Sequence, residues 1–306
     1  MGTTSKTGRP DKPLGKGTRD EAATASAADV LVSRDNRWLK AFRMALRGGL
    51  ASENGAVGVE GVRLVEEALG SACRIEGVLF SESGERYRER LAPLIGRPGM
   101  GFPVLRTTDR LFEGIADTEH PQGVAALVQP RQIVLEDVFA TPEGACAPLL
   151  VVLAGVQDPG NVGTILRTAA AFGATGAVTS ATGQSATASP YAPKAMRASA
   201  GAALHLPILA GMSLAILLTQ LKVNGIHTLA SCVHQAGADA AAPWEVDWCQ
   251  PIALLVGNEG AGLPEEIVHS ADARIHIPMA TRVESLNAAA AAAVIFYEAF
   301  RQRKKS

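Results

Sequence analysis

The chain has 306 residues, 47% of them hydrophobic and 19% charged, and a formal net charge of −1. That composition suits soluble globular domains of roughly 100–200 residues, about two of them at this length. It holds no run of about 20 apolar residues to cross a bilayer, and it lacks the basic balance that usually marks a nucleic-acid binder.

The charge is unevenly spread. Residues 1–50 carry ten Lys/Arg against five Asp/Glu, about +5 by simple count. An RNA-binding arm and a merely solvated tail both fit that excess. Residues 1–28 are Gly, Pro, Thr, Ser, Ala and charge without an apolar period, which predicts a disordered tail. No apolar signal core opens the chain, so secretion is not expected. Cys73, Cys146, Cys232 and Cys249 lie far apart and form no C-x-x-C pair. Reduced thiols in a cytoplasmic protein are the expectation.

In the first half, Ser33 is placed to cap a helix running to about Arg47, with Trp38, Leu39, Phe42, Ala45 and Leu46 on one side. Val62, Val65 and Leu69 give Val59–Leu69 a helical stripe. Ile75–Phe80 reads as a buried strand and Glu85–Leu94 as a charged helix. Val104–Leu105 is a short strand, Asp109–Ile115 a short helix, and Gly123–Val128 a strand ended by Pro130. Residues 33–140 thus form a small α/β domain, and Thr141–Pro148 reads as a linker.

The second half alternates regularly. Strands are predicted at Leu149–Ala154, Gly176–Thr179, Ile226–Ala230, Ile252–Val256 and Arg274–Ile277. Helices are predicted at Asn161–Phe172, Pro190–Ala200, Ser213–Leu221, Pro264–His269 and Ser285–Arg301. Leu149–Ala154 is continuously apolar, as a strand covered on both faces should be. The βαβα rhythm over 146–306 predicts an α/β fold with a mostly parallel sheet.

Three blocks carry polar residues at strand ends, where such a sheet places ligands. In Gln157–Gly173 the turn Asp158-Pro159-Gly160 precedes Asn161, a good N-cap. Arg167 follows among small and apolar residues, where a charge wants a carboxylate or phosphate partner. A surface or salt-bridged arginine is the plainer alternative. In Leu254–Ile267 the loop Gly257-Asn258-Glu259-Gly260-Ala261-Gly262 lets a ligand approach backbone. It matches neither a dinucleotide fingerprint nor a phosphate-binding Gly-Lys-Ser/Thr loop. Glu259 could orient Arg167 or a substrate group, or simply favour a helix start. In Ile275–Glu298, Ser285-Leu286-Asn287 opens a helix whose alanines, Ala288 to Ala293, read first as strong helix formers. No His/Cys/Asp cluster offers metal ligands, so no metal is expected.

Read together, the blocks resemble the SPOUT superfamily, and within it the SpoU (TrmH-like) RNA ribose 2′-O-methyltransferases. Asn161, Gly163 and Arg167 match an N-x-G-x-x-x-R stretch. Gly257, Glu259 and Gly262 match G-x-E-x-x-G. Ile277, Pro278, Met279, Ser285, Leu286 and Asn287 match I-P-M…S-L-N. Val57–Leu69 and Asp117–Val128 are similar to the family's L30e-like substrate-binding module.

The resemblance implies a deep C-terminal trefoil knot, an exception to the rule against threading. It implies S-adenosylmethionine held around Gly257, Ile277, Met279 and Leu286, with Ala230 and Ser231 nearby, and a homodimer completing the site across its interface. It assigns Arg167 to activation of the ribose hydroxyl, Asn161 and Ser285 to positioning, Glu259 to fixing the arginine, and Asn287 to the cofactor turn. RNA contact is expected from Arg34, Arg37, Lys40, Arg43, Lys194 and Arg197. The substrate it favours is 23S ribosomal RNA. Transfer RNA, or a non-catalytic RNA-binding or ribosome-assembly role, are the alternatives.

Overall fold

The computed structural model describes residues 30–48, 55–99, 101–141, 143–144, 146–181, 186–232, 240–280 and 285–304. The tail over 1–28, Pro142 of the linker and residues 281–284 of the third block's loop lie outside them.

The N-terminal elements are β1 (Val30–Leu31), α1 (Arg37–Gly48), β2 (Val57–Glu60), α2 (Val62–Gly70), β3 (Arg74–Ser81), α3 (Arg88–Ile95), β4 (Val104–Thr107), α4 (Asp109–Glu113) and β5 (Val124–Gln129). They build a mixed sheet in the order β1-β4-β3-β5-β2, in which β5 runs antiparallel to β2 and β3. On one face Leu39, Phe42 and Leu46 of α1 meet Phe112 of α4 and Ile115 just after it. On the other, Val65 and Leu69 of α2 and Leu91 of α3 cover the sheet. The first helix starts later than the Ser33 signal suggests. Asn36 Oδ1 accepts from the Trp38 amide at 2.8 Å, so the side chain nearest the apolar stripe does the capping. Val59 belongs to a strand, because Val57–Glu60 pairs residue by residue with β5. The charged helix opens as a 3-10 turn, Ser83–Tyr87, before α3.

α5 (Leu135–Phe139) follows, and its Val138 packs into the second sheet's core. Next come β6 (Leu149–Ala154), α6 (Pro159–Ala171), β7 (Gly176–Ser180), α7 (Pro193–Ser199), β8 (Ile208–Met212), α8 (Leu214–Val223), β9 (His227–Ser231), β10 (Ala240–Ala241), β11 (Ile252–Gly257), α9 (Glu265–Ser270), β12 (Ala273–Ile275) and α10 (Ala288–Arg303). The seven strands are all parallel, ordered β10-β12-β9-β11-β6-β7-β8. Side chains alternate across β6: Leu149, Val151 and Leu153 face α6, α7 and α10, while Leu150, Val152 and Ala154 face α5, α8 and α9. All six are buried, each large one worth roughly 1.5–3 kcal/mol on burial.

Two consequences position the site. The chain leaves β6 toward β7 and β8, then returns on the other side, so β6 and β11 flank the point where strand order reverses. Ligands bind outside the strand ends at such a point. In addition, β11 enters between β6 and β9, and β12 between β9 and β10. Both strands enter between strands laid down earlier, the insertion order that a threaded C-terminal segment requires. The closing helix is pinned by Arg303, whose guanidinium donates to the carbonyls of Ala147 (2.6 Å), Trp248 (2.7 Å), Gln250 (2.9 Å) and Pro148 (3.1 Å). Burial pushes its pKa down.

Candidate active site at the end of the parallel sheet

β6 ends at Gly155, whose φ of 88° lies where glycine is favoured. Its amide donates to Ser180 Oγ (3.1 Å) and Thr187 Oγ1 (3.0 Å), and its carbonyl accepts from Asn258 Nδ2 (3.0 Å). The turn after β6 is therefore tied to the turn after β11. α6 begins at Pro159 with Asp158 as its N-cap, accepting from the Gly160 amide at 3.0 Å. Proline is pre-set for the first helical position. The cap is thus Asp158, and Asn161 sits inside the first turn with its side chain free for other work.

After β11, Asn258 and Gly262 exchange backbone hydrogen bonds at 3.0 Å. Asn258 Oδ1 accepts from the amides of Gly260 and Ala261, both at 2.9 Å. A Cβ on Gly257 would stand 2.4 Å from the Gly262 carbonyl carbon, so glycine is required for this closure. Glu259 projects from the tip of the loop. It does not open a helix, since α9 starts six residues later. Its carboxylate accepts from Asn161 Nδ2 (2.9 Å) and from the amides of Asp158 (3.1 Å) and Gln157 (3.2 Å). Burial pushes its pKa up, but these donors outweigh burial and leave it below the ordinary carboxylate range.

Asn287 supplies the third block. Its Oδ1 caps α10 through the amides of Ala289 (2.9 Å) and Ala290 (3.3 Å), and its Nδ2 donates to Asn161 Oδ1 at 3.1 Å. Glu259, Asn161 and Asn287, one residue from each block, thus form a continuous chain of side-chain hydrogen bonds. Beside it opens a cleft. Ser231, Gly257, Ile277, Met279 and Leu286 line it, as do Glu259 and Ser285. Ala230 is fully buried one residue behind Ser231 and does not line it.

Sequence reasoning missed part of the lining. Ala288, Ala291 and Ala292 form one wall, so the alanine run leaves room as well as forming helix. Cys232 and His276 also line the cleft. Among the described residues, Nδ1 of His276 is the buried side-chain polar atom without a hydrogen-bond partner. An orphaned polar atom in a largely apolar wall fits a small polar ligand.

Arg167 is placed differently from expectation. Ile165, Leu166 and Ala169 are buried, but Arg167 faces solvent and does not line the cleft. It pays no burial cost that would demand a partner, and it meets no hydrogen-bonding or ionic partner among the described residues. Glu259 does not hold it, because Arg167 lies six residues beyond Asn161, about 9 Å along the helix axis. Four of the expected RNA contacts already have neighbours. Lys194 pairs with Asp158 (2.6 Å), Arg197 with Asp117 (2.6 Å) and Lys40 with Asp35 (3.0 Å), and Arg37 lies 5.7 Å over the Trp38 ring. Arg34 is exposed and Arg43 half-buried.

A polar network at the reversal point of a parallel sheet, beside a cleft with a partly apolar lining, fits a ligand site of an α/β enzyme. Residues 148–297 match the SpoU rRNA Methylase family, and residues 52–126 match the MRM3-like substrate binding domain. The chain is 32% identical over 273 residues to an uncharacterized tRNA/rRNA methyltransferase of Synechocystis sp., covering 89% of this chain and 94% of that one. It is 31% identical over 240 residues to the 23S rRNA (guanosine(2553)-2′-O)-methyltransferase RlmP of Bacillus subtilis, covering 78% and 86%. The solved structure of an AdoMet-bound rRNA methyltransferase from Sinorhizobium meliloti matches with a TM-score of 0.75 at 29% identity, over 90% of this chain and 98% of that one. The chain belongs to the SpoU family of RNA methyltransferases, enzymes that use S-adenosylmethionine.

Proposed function

We propose that this protein transfers a methyl group from S-adenosylmethionine to a ribose 2′-oxygen of 23S ribosomal RNA. The observation that carries the reading is the Glu259–Asn161–Asn287 chain beside the cleft. Ser231, Gly257, Ile277, Met279, Leu286 and the orphaned His276 would hold the cofactor, with Ala230 behind them. When bound, the cofactor supplies an electrophilic methyl on a sulfonium.

The chain's own groups limit the roles available. Glu259 already accepts three hydrogen bonds, and its pKa is low. It is a scaffold and a poor base. Arg167 is a worse base still, since a guanidinium holds its proton. Its role is to bind RNA phosphate and to stabilise the developing alkoxide, while the proton leaves to water. Ser285 and Asn161 position the ribose. Alignment of the reactants can supply about 7–11 kcal/mol of the barrier.

The reading includes a homodimer. Arg167 stands outside the cleft of its own protomer, so a second protomer bringing its α6 across the cleft would complete the site. It also includes a knotted domain over 146–306, an RNA-reading L30e-like domain over 33–140, an N-terminal tail over 1–28 and a cytoplasmic location. Arg34, Arg37, Lys40 and Arg43 are its expected phosphate contacts.

Labelled methyl transfer to protein-free ribosomal RNA and, separately, to transfer RNA tests it. A 2′-O-methyl blocks alkaline cleavage at one linkage. One alkali-resistant position in 23S RNA is the expected result. Label on transfer RNA alone would reassign the substrate. Silence on both pools, with cofactor binding intact, would favour the non-catalytic role.

A further inference from the structure

Helix α7 and the turn after it touch both the helix that carries the site and the N-terminal domain. At its start, Lys194 binds Asp158, the N-cap of the site's own helix. Further along, Arg197 binds Asp117 of the N-terminal domain at 2.6 Å, with side chains 39% and 30% exposed. Just past its end, a Cβ on Gly201 would come 2.7 Å from Glu67 Cβ of α2, and Glu67 also pairs with His205 at 2.9 Å.

Both ends of the Arg197 pair are anchored. The Asp117 amide donates to the buried Glu60 carboxylate at 2.9 Å, and the Thr118 hydroxyl donates to the same group. On the other side, α7 is locked against α6. A Cβ on Gly163 would lie 2.2 Å from the Ala195 carbonyl oxygen. Displacing Asp117 therefore loads α7, and α7 bears on the turn that carries Asp158 and Asn161, the two residues whose donors Glu259 accepts from the loop after β11.

The domain junction is packed at two patches. Around Glu67, the buried Leu69 and Cys73 share a core with Ala203 and Leu204, and Cys73 Sγ donates to the Leu204 carbonyl at 3.5 Å. Around Asp117, Leu46, Gly58 and Leu64 of the N-terminal domain face Pro193 and Met196, and Leu64 and Met196 are buried in the same core. The polar contact that crosses the junction at this second patch is the Arg197–Asp117 pair.

We propose that Arg197 and Asp117 are positioning residues that fix the angle of the N-terminal domain on the catalytic domain, and so select which RNA nucleotide reaches the cleft. The proposal rests on the RNA methyltransferase reading above. It makes Arg197 a strut and not a phosphate contact. A pair this exposed contributes little to global stability, so its loss disturbs register more than folding.

The test compares Arg197→Asp, Asp117→Arg and the double swap with wild type. Spin labels placed on exposed sites of the two domains report the interdomain distance, and alkaline hydrolysis maps the methylated position. The expected result is a narrow distance distribution in wild type and a broad one in each single variant, restored in the swap. The single variants should raise KM for RNA about tenfold and spread methylation to neighbouring nucleotides, with cofactor affinity and melting temperature unchanged. Distances that stay narrow in Arg197→Asp overturn the proposal, whatever the protein methylates. So does an Asp117→Asn variant that binds RNA more tightly, because freeing Arg197 would then have exposed a direct RNA contact. Wild-type protein that methylates neither RNA pool overturns the underlying reading instead, and the distances separate that failure from failure of the strut.

Discussion

Asn287 donates to the side-chain oxygen of Asn161, 126 residues earlier, at 3.1 Å. An asparagine amide has a donor side and an acceptor side, and Asn161 uses both. It gives its proton to Glu259 and takes one from Asn287. No other residue of that size fits both neighbours. Alanine removes both bonds, and aspartate sets a second carboxylate against Glu259.

Asn161→Ala should therefore lower kcat by about 10²-fold, the loss expected when reacting groups shift by an ångström. Cofactor affinity should change much less, since Asn161 does not line the cleft. Asn161→Asp should be worse than alanine at neutral pH through like-charge repulsion. Single-turnover rates beside calorimetric cofactor titrations check this. Equal losses in both measurements would place Asn161 in the cofactor site instead.

Glu259 gives a pH prediction. A carboxyl whose folded pKa lies below its unfolded value of about 4.3 adds stability that is complete above that pH and is lost as pH falls through the folded pKa. Glu259 is such a group, because its hydrogen-bond donors outweigh its burial. Glutamine offers one acceptor where the carboxylate offers two, and points an NH₂ at existing donors. Glu259→Gln should cost roughly 0.5–1.5 kcal/mol at pH 7, kept small by exposure. The melting-temperature gap to wild type should be flat from pH 8 to 6 and narrow below about pH 4. A gap that widens in acid would mean the group is not held ionised.

How much of this was legible in the sequence depends on the signal each feature leaves. β6 and β11 were, because an unbroken apolar run of five or six residues has few alternatives. β8 and β10 left little trace. They are edge elements defined by the strands beside them, and only their pairing with β7 and β12 makes them visible. Asn161 was singled out but misread, since Asp158 and Asn161 are both good caps and Pro159 decides between them. The apolar setting of Arg167 was real along the chain and absent in space. Successive helical residues point 100° apart, so burial of Leu166 says nothing of its neighbour. His276 left no signal, because a lone histidine after a strand is commonplace until the cleft forms around it.

Gly163 makes a steric prediction from the same helix. α7 approaches α6 so closely that a Cβ there would sit 2.2 Å from the Ala195 oxygen and 2.8 Å from the Ala198 Cβ. Both partners lie on a helix held at both ends, so neither can yield cheaply. Gly163→Ala should destabilise by about 1–3 kcal/mol, despite alanine's better helix propensity. A thermal melt should show a drop of several degrees, at about 2–4 °C per kcal/mol for domains of 150–250 residues. An unchanged or raised melting temperature would show that the two helices separate more easily than their contacts suggest.

Arg167 supplies the last prediction, and it separates two arrangements that a single inactive variant cannot. Arg167→Ala should abolish methyl transfer and leave cofactor binding nearly intact, because the side chain is exposed and off the cleft. A second variant, Ala291→Trp, should fill the cleft and block the cofactor while leaving Arg167 in place. Each should be inactive alone. If Arg167 serves the cleft of the opposite protomer, a mixed dimer joins one open cleft to one intact arginine, and co-refolding the two variants should restore a fraction of wild-type activity. If Arg167 serves its own cleft, every site in the mixture lacks one essential part and the mixture stays silent. Activity that returns on mixing and scales with the mixed-dimer fraction would establish both the dimer and the direction in which the arginine crosses it.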